Sequence, residues 1–195
     1  MDFGAFINGF GTVDLLVILY FLGFFVLGFA QGTIRRLIGI ASILFSWFLA
    51  ALLAGPLSEF LGRNWTQFST EYSYMVGFAT VFFASSIAFA LVVQGFYKPQ
   101  QLFKRARFAD EILGGILGLV QAAIIYGAVL IILDSFFLIP GIPVDPQELP
   151  FARELWGAMD GSQFTPAFRE TIIPVFFILT GLFVPERIEA AYPLD

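Results

Sequence analysis

Apolar residues fall into four unbroken stretches, residues 15–30, 37–54, 73–96 and 112–133, joined by short charged connections. A hydrocarbon layer about 30 Å thick takes about 20 helical residues to cross, with a workable range of about 17–25. The first stretch is slightly short and the other three fit. None carries a charge in its interior. The pattern predicts an all-α membrane protein, with a bundle of four transmembrane helices over residues 1–135 and a C-terminal tail over residues 136–195.

Proline and glycine punctuate the pattern. Gly55 and Pro56 should stop the second helix, since proline cannot donate into a helical turn. Residues 57–71 then form a loop, with Trp65 and Phe68 at headgroup level. Pro140, Pro143, Pro146 and Pro150 make residues 139–150 an extended linker. Past it, Phe151, Leu155, Trp156 and Met159 share one helical face, which suits a short amphipathic helix on the membrane surface. Residues 172–184 are apolar but hold Pro174 and Gly181 and are too short to cross unaided. They predict a helix over residues 166–183 that docks on the bundle or dips into the interface, with a fifth crossing as the alternative.

Lipid gives helices little hydrophobic reason to associate, so close backbone approach at small residues matters. Such residues recur at a spacing of four: Gly28 and Gly32, then Ser46, Ala50 and Ala54, then Ala84 and Ala88, then Gly114 and Gly118. Gln31, Gln94 and Gln121 read as amide links between helices, worth about 0.6–2 kcal/mol each. Lining a transport path is their other possible role, although polar residues are sparse for one.

Composition supports the membrane reading. Hydrophobic residues make up 58% and charged residues 13%, against about 45–50% and about 25% in soluble domains. A water-soluble helical core could not hide that much apolar surface behind so little charge. The absence of cysteine and histidine excludes disulfides, thiol nucleophiles and imidazole acid–base chemistry. An enzyme is therefore not expected, nor a metal, a cofactor or a nucleic-acid partner. Residues 1–12 carry no basic residue, so the first stretch reads as a retained helix rather than a signal peptide.

Charge asymmetry sets an expected orientation. Arg35, Arg36, Lys98, Lys104, Arg105 and Arg107 occupy the first and third connections, with only Asp110 and Glu111 against them. Arg63, Arg153, Arg169 and Arg187 share the other side with the remaining acids. Basic loops stay in the cytoplasm, which puts both termini outside. The segment at residues 98–107 sets this topology or touches anionic lipid. Tyr72, Tyr74 and Tyr97 bracket the third stretch and suit the two interfaces, or else simply pack.

Residue order adds a resemblance. Val13-Asp14-Leu15 opens the first helix and Gly32-Thr33-Ile34-Arg35 follows it. Asp110-Glu111-Ile112-Leu113-Gly114-Gly115-Ile116-Leu117-Gly118 opens the fourth, and Leu133-Asp134-Ser135-Phe136 closes it. Over roughly residues 13–135 this order resembles the colicin V production protein family, small four-helix proteins of the bacterial inner membrane. Gln31 and Gln121 stand where that family often has arginine, leaving Arg35, with Arg36 beside it, as the cation of the first motif.

The resemblance implies a role in colicin V production or envelope homeostasis, as a membrane scaffold or partner. Similar modules precede serine-protease domains outside the membrane, which agrees with the charge count. This chain lacks the length and the histidine for that domain. A small oligomeric transporter or channel is the alternative. Beyond the bilayer, the expected partner is another membrane protein or a second copy. The candidate residues are Asp14, Gly32, Arg35, Asp110, Gly114, Gly118 and Asp134. Asp14 suits a helix N-cap. Arg35 and Asp110 suit an ion pair between the first and fourth helices, or independent capping and snorkelling. Asp134, electrostatically awkward near a helix C-terminus, points to a specific partner or a bound cation, unless it faces solvent.

Overall fold

The computed structural model describes residues 10–65, 68–96, 107–139, 148–185, 188, 191 and 192. Tyr97, the basic segment at residues 98–106 and residues 140–147 of the proline linker lie outside these, as does the side chain of Gln94. Four helices carry the apolar stretches: α1 (Thr12–Gln31), α2 (Thr33–Asn64), α3 (Thr70–Phe96) and α4 (Arg107–Phe137). Each is long and apolar enough to cross a membrane. No strand occurs among the described residues.

Only Gly32 separates α1 from α2. Its φ of 78° is a left-handed value open to glycine, and a Cβ there would stand 2.7 Å from Asp110 Oδ2. At the other end, α2 does not stop at Gly55 and Pro56. It runs through Pro56 to Asn64, leaving a connection of residues 65–69 rather than a long loop. Pro56 removes one hydrogen bond, but α3 holds the following turns in place. Ser58 and Leu61 are buried, and a Cβ on Gly77 of α3 would lie 3.3 Å from Ser58 N. Packing against a neighbour is how transmembrane helices tolerate proline.

The bundle is two antiparallel pairs, α1 with α4 and α2 with α3, joined mainly through α2 and α4. Glycine makes the first pair. A Cβ on Gly28 would stand 2.1 Å from Gly114 O, and one on Gly118 would stand 2.2 Å from Phe24 O. Tyr20 OH donates to Ala122 O at 3.1 Å along the same seam. Ser46, Ala50 and Ala54 are buried as expected. Ala84 and Ala88 are exposed; α3 packs instead through Tyr72, Met75, Phe78 and Phe82. Tyr72 is no interfacial tyrosine: it is fully buried, and its OH accepts from Leu149 N at 2.8 Å.

The tail closes over this frame. Helix α5 (Pro150–Asp160) lies against α4 through Ala152, Trp156 and Met159, while Phe151 and Leu155 remain exposed. The single face predicted for it is therefore split between the bundle and the outside. A composite helix follows: an α-turn at Thr165–Ala167, a π-helical stretch at Phe168–Ile172, α6 (Ile173–Thr180) and a 3-10 turn at Gly181–Phe183. It docks on the bundle, the first of the two placements expected for it. Phe168 packs on Tyr126, with ring centroids 4.6 Å apart, and Phe176 meets Trp47 edge-on at 4.9 Å. Phe183 meets Phe48 at 4.6 Å. Trp47 and Phe48 lie half-way along α2, so the composite helix reaches the middle of the bundle. The chain then turns back, because Tyr192 bonds Asp134 near the end of α4.

Candidate functional site

Polar side chains gather at the two ends of the bundle, held there by different elements. At one end Asp134 occupies the last turns of α4 and is completely buried. A carboxylate near a helix C-terminus faces the negative end of the dipole and needs a cation. Arg169 supplies it from the π-helical stretch, with Nη2 donating to Oδ1 at 2.7 Å and Nε to Oδ2 at 3.0 Å. This two-pronged geometry is the strongest form of the pair. Trp156 Nε1 donates to Oδ1 at 2.8 Å and Tyr192 OH donates to Oδ2. Asp134 thus has a protein partner rather than solvent.

Arg169 reaches further, donating from Nη1 to Asp160 Oδ1 at 2.6 Å. Burial works against its charge, but hydrogen bonds to Asp134 and Asp160 outweigh that and raise its pKa. Burial beside the Asp134 charge likewise pushes the Tyr192 phenol up, keeping it a donor. Nearby, Arg153 grips Glu148 through two bonds of 2.7 and 2.8 Å. Its guanidinium lies 4.9 Å from the centroid of Phe137.

Asp14 lies at the same end and is not the N-cap. Gly11 is the cap, and Asp14 sits three residues into α1, where its Oδ2 accepts Gly11 N–H at 3.0 Å. Its other oxygen accepts Ser162 Oγ at 2.8 Å and Gln163 N–H at 2.9 Å. Two aspartates from α1 and α4 therefore fasten both sides of the 160s turn. Thr165 adds a third point between them, accepting from Tyr126 OH at 3.1 Å while donating to Met159 O.

At the opposite end Arg35 and Asp110 do not pair. Asp110 is buried beside Gly32, its backbone oxygen accepts Thr33 Oγ1 at 3.1 Å, and its Oδ1 has no hydrogen-bond partner among the described residues. The buried arginine is the next one along. Arg36 donates from Nη1 to Gln121 Oε1 at 2.8 Å and lies 5.8 Å from the Phe24 ring centroid. Gly39 leaves room for this link, because a Cβ there would stand 2.9 Å from Gln121 Nε2. Arg36 stands in the first turn of α2 and is buried against α1 and α4 rather than left in water, so it does more here than mark topology. It lines a cavity of about 400 Å³ between the helix pairs, together with Gln31, Arg35, Gln121 and Ser86.

Of the sequence candidates, Gly32, Asp110, Gly114 and Gly118 meet at the α1–α4 seam, and Asp14 and Asp134 hold the tail. Arg35 stands apart from Asp110. Arg36, Trp156, Ser162, Arg169 and Tyr192 were not among those candidates. One signal could have found Arg169: a carboxylate closing a transmembrane helix needs a cation, and the tail holds three arginines.

Four spanning helices with a tail inserted among them and two polar ends define a multi-pass α-helical membrane protein. The chain matches the family model described as colicin V production protein over residues 13–173. It belongs to that family, and the match runs through α5 and into the composite helix. No curated protein and no solved structure matches the chain.

Proposed function

We propose that this chain is a non-catalytic partner protein of the bacterial inner membrane, with both termini outside, that supports toxin production and export or upkeep of the envelope. Its family gives the direction of that reading. The observation that supports it best is the filled interior: Trp47, Phe78, Phe82 and Phe176 pack edge to face where a route between the helix pairs would run. The outward surfaces suit partner contact. Exposed Phe151 and Leu155 of α5 stand beside apolar grooves against α3 and α1.

One observation favours transport as the second reading. The cavity at the Arg36 end is polar at its base and stops at the aromatic layer, as a pathway open on one side would. Flux assays separate the two. Proteoliposomes containing the protein should keep ion and solute gradients as empty vesicles do. Deletion in cells should alter toxin yield or resistance to membrane-active compounds. A gradient that collapses with wild type but holds in empty vesicles and with a folded Gln121→Leu variant, which alters the cavity lining, would replace the partner reading with transport.

A further inference from the structure

The Arg36 cavity joins two chemistries. Its polar base holds Arg35, Arg36, Gln31, Gln121 and Ser86, and no acidic residue lines it among the described residues. Arg36 is only 6% exposed, yet among the described residues its Nε has no partner, and neither does Ser86 Oγ. No carboxylate lies within ion-pairing distance of Arg36 among the described residues. A guanidinium withdrawn from water with a free donor and no counter-charge is complementary to an oxyanion, phosphate above all.

The walls are apolar and open sideways. Leu27 of α1 and Phe83 and Ile87 of α3 line the cavity and are 49%, 43% and 59% exposed. Helices α1 and α3 make no substantial contact with each other, so the mouth between them faces the hydrocarbon. A free anion would have to reach Arg36 past this greasy rim. A lipid would arrive with its headgroup and chain already matched to the two halves.

We propose that this cavity binds an anionic phospholipid, with its phosphodiester on Arg36 and an acyl chain along Leu27, Phe83 and Ile87. The partner reading does not depend on it, and the binding test below leaves that reading untouched. Delipidated protein in mild detergent is offered phosphatidylglycerol, phosphatidylcholine or inorganic phosphate, and bound molecules are counted by native mass spectrometry. Phosphatidylglycerol should be retained at about tenfold lower concentration than phosphatidylcholine, the scale of one charge-assisted contact. Arg36→Gln should weaken retention about tenfold, while Arg63→Gln, on an exposed pair with Glu59 at the other end of α2, should not. Ala90→Trp, which fills the cavity from α3 and leaves Arg36 in place, should weaken it as much and decides the matter if Arg36→Gln does not fold. Retention unchanged in folded Arg36→Gln or in Ala90→Trp overturns the proposal. So does phosphatidylglycerol held no better than phosphatidylcholine. Inorganic phosphate bound as tightly as phosphatidylglycerol would make this a free-anion site and overturn the lipid assignment.

Discussion

Asp134 shows what one buried charge demands. Its four hydrogen bonds come from three residues of the tail, Trp156, Arg169 and Tyr192. Removing one member of a buried pair typically costs about 3–5 kcal/mol, because the survivor is left unpaired. Asp134→Asn and Arg169→Gln should each lower the unfolding midpoint in detergent strongly. The double variant should lose much less than the two singles combined, with a coupling of about 1–3 kcal/mol. Additive losses across this cycle would mean that the pair carries no specific energy. A carboxylate at a helix C-terminus was enough to raise the question of a partner. Which tail arginine answers it depends on how the composite helix docks against α4, and residue order does not encode that.

Among the elements, α1 and α4 depend on glycine more than on any side-chain contact. Gly114→Val would place its Cβ 2.4 Å from Gly28 O, against backbone that cannot yield. Forcing the helices apart should cost about 1–3 kcal/mol or more. Gly23→Val on α1 meets nothing within 4 Å and should leave the midpoint in place. Thermal unfolding of both variants in detergent checks this, and equal tolerance would argue against a glycine-dependent seam. This seam was legible, because spacing by four on helices of known period specifies one face. The continuation of α2 past Pro56 was not. A proline reads as a stop from local rules, and only the contact of Ser58 with Gly77 overrides them. The exposure of Ala84 and Ala88 has the same origin: small residues permit close approach without requiring it. Short apolar runs are ambiguous in a similar way, since residues 172–184 read alike whether laid on a surface or inserted against Trp47.

For the molecule as a whole, sidedness governs how both polar ends are used. Six of the ten basic residues fall in the two connections on the Arg36 side, and the proposed orientation, with both termini outside, faces that end to the cytoplasm. Single cysteines at Glu154 and Arg107, both exposed, should react with a membrane-impermeant reagent in intact cells only at Glu154. Labelling at Arg107 instead would invert the orientation and turn the lipid cavity toward the other leaflet.

The lone residue between α1 and α2 bears on biosynthesis. With Gly32 as the whole connection, the two helices are expected to enter the bilayer together as a hairpin. The partner of α1 is α4, which emerges from the ribosome only after α2 and α3. Throughout that interval the notched side of α1 stands bare among acyl chains. A hairpin of α1 and α2 alone would therefore carry an empty docking face.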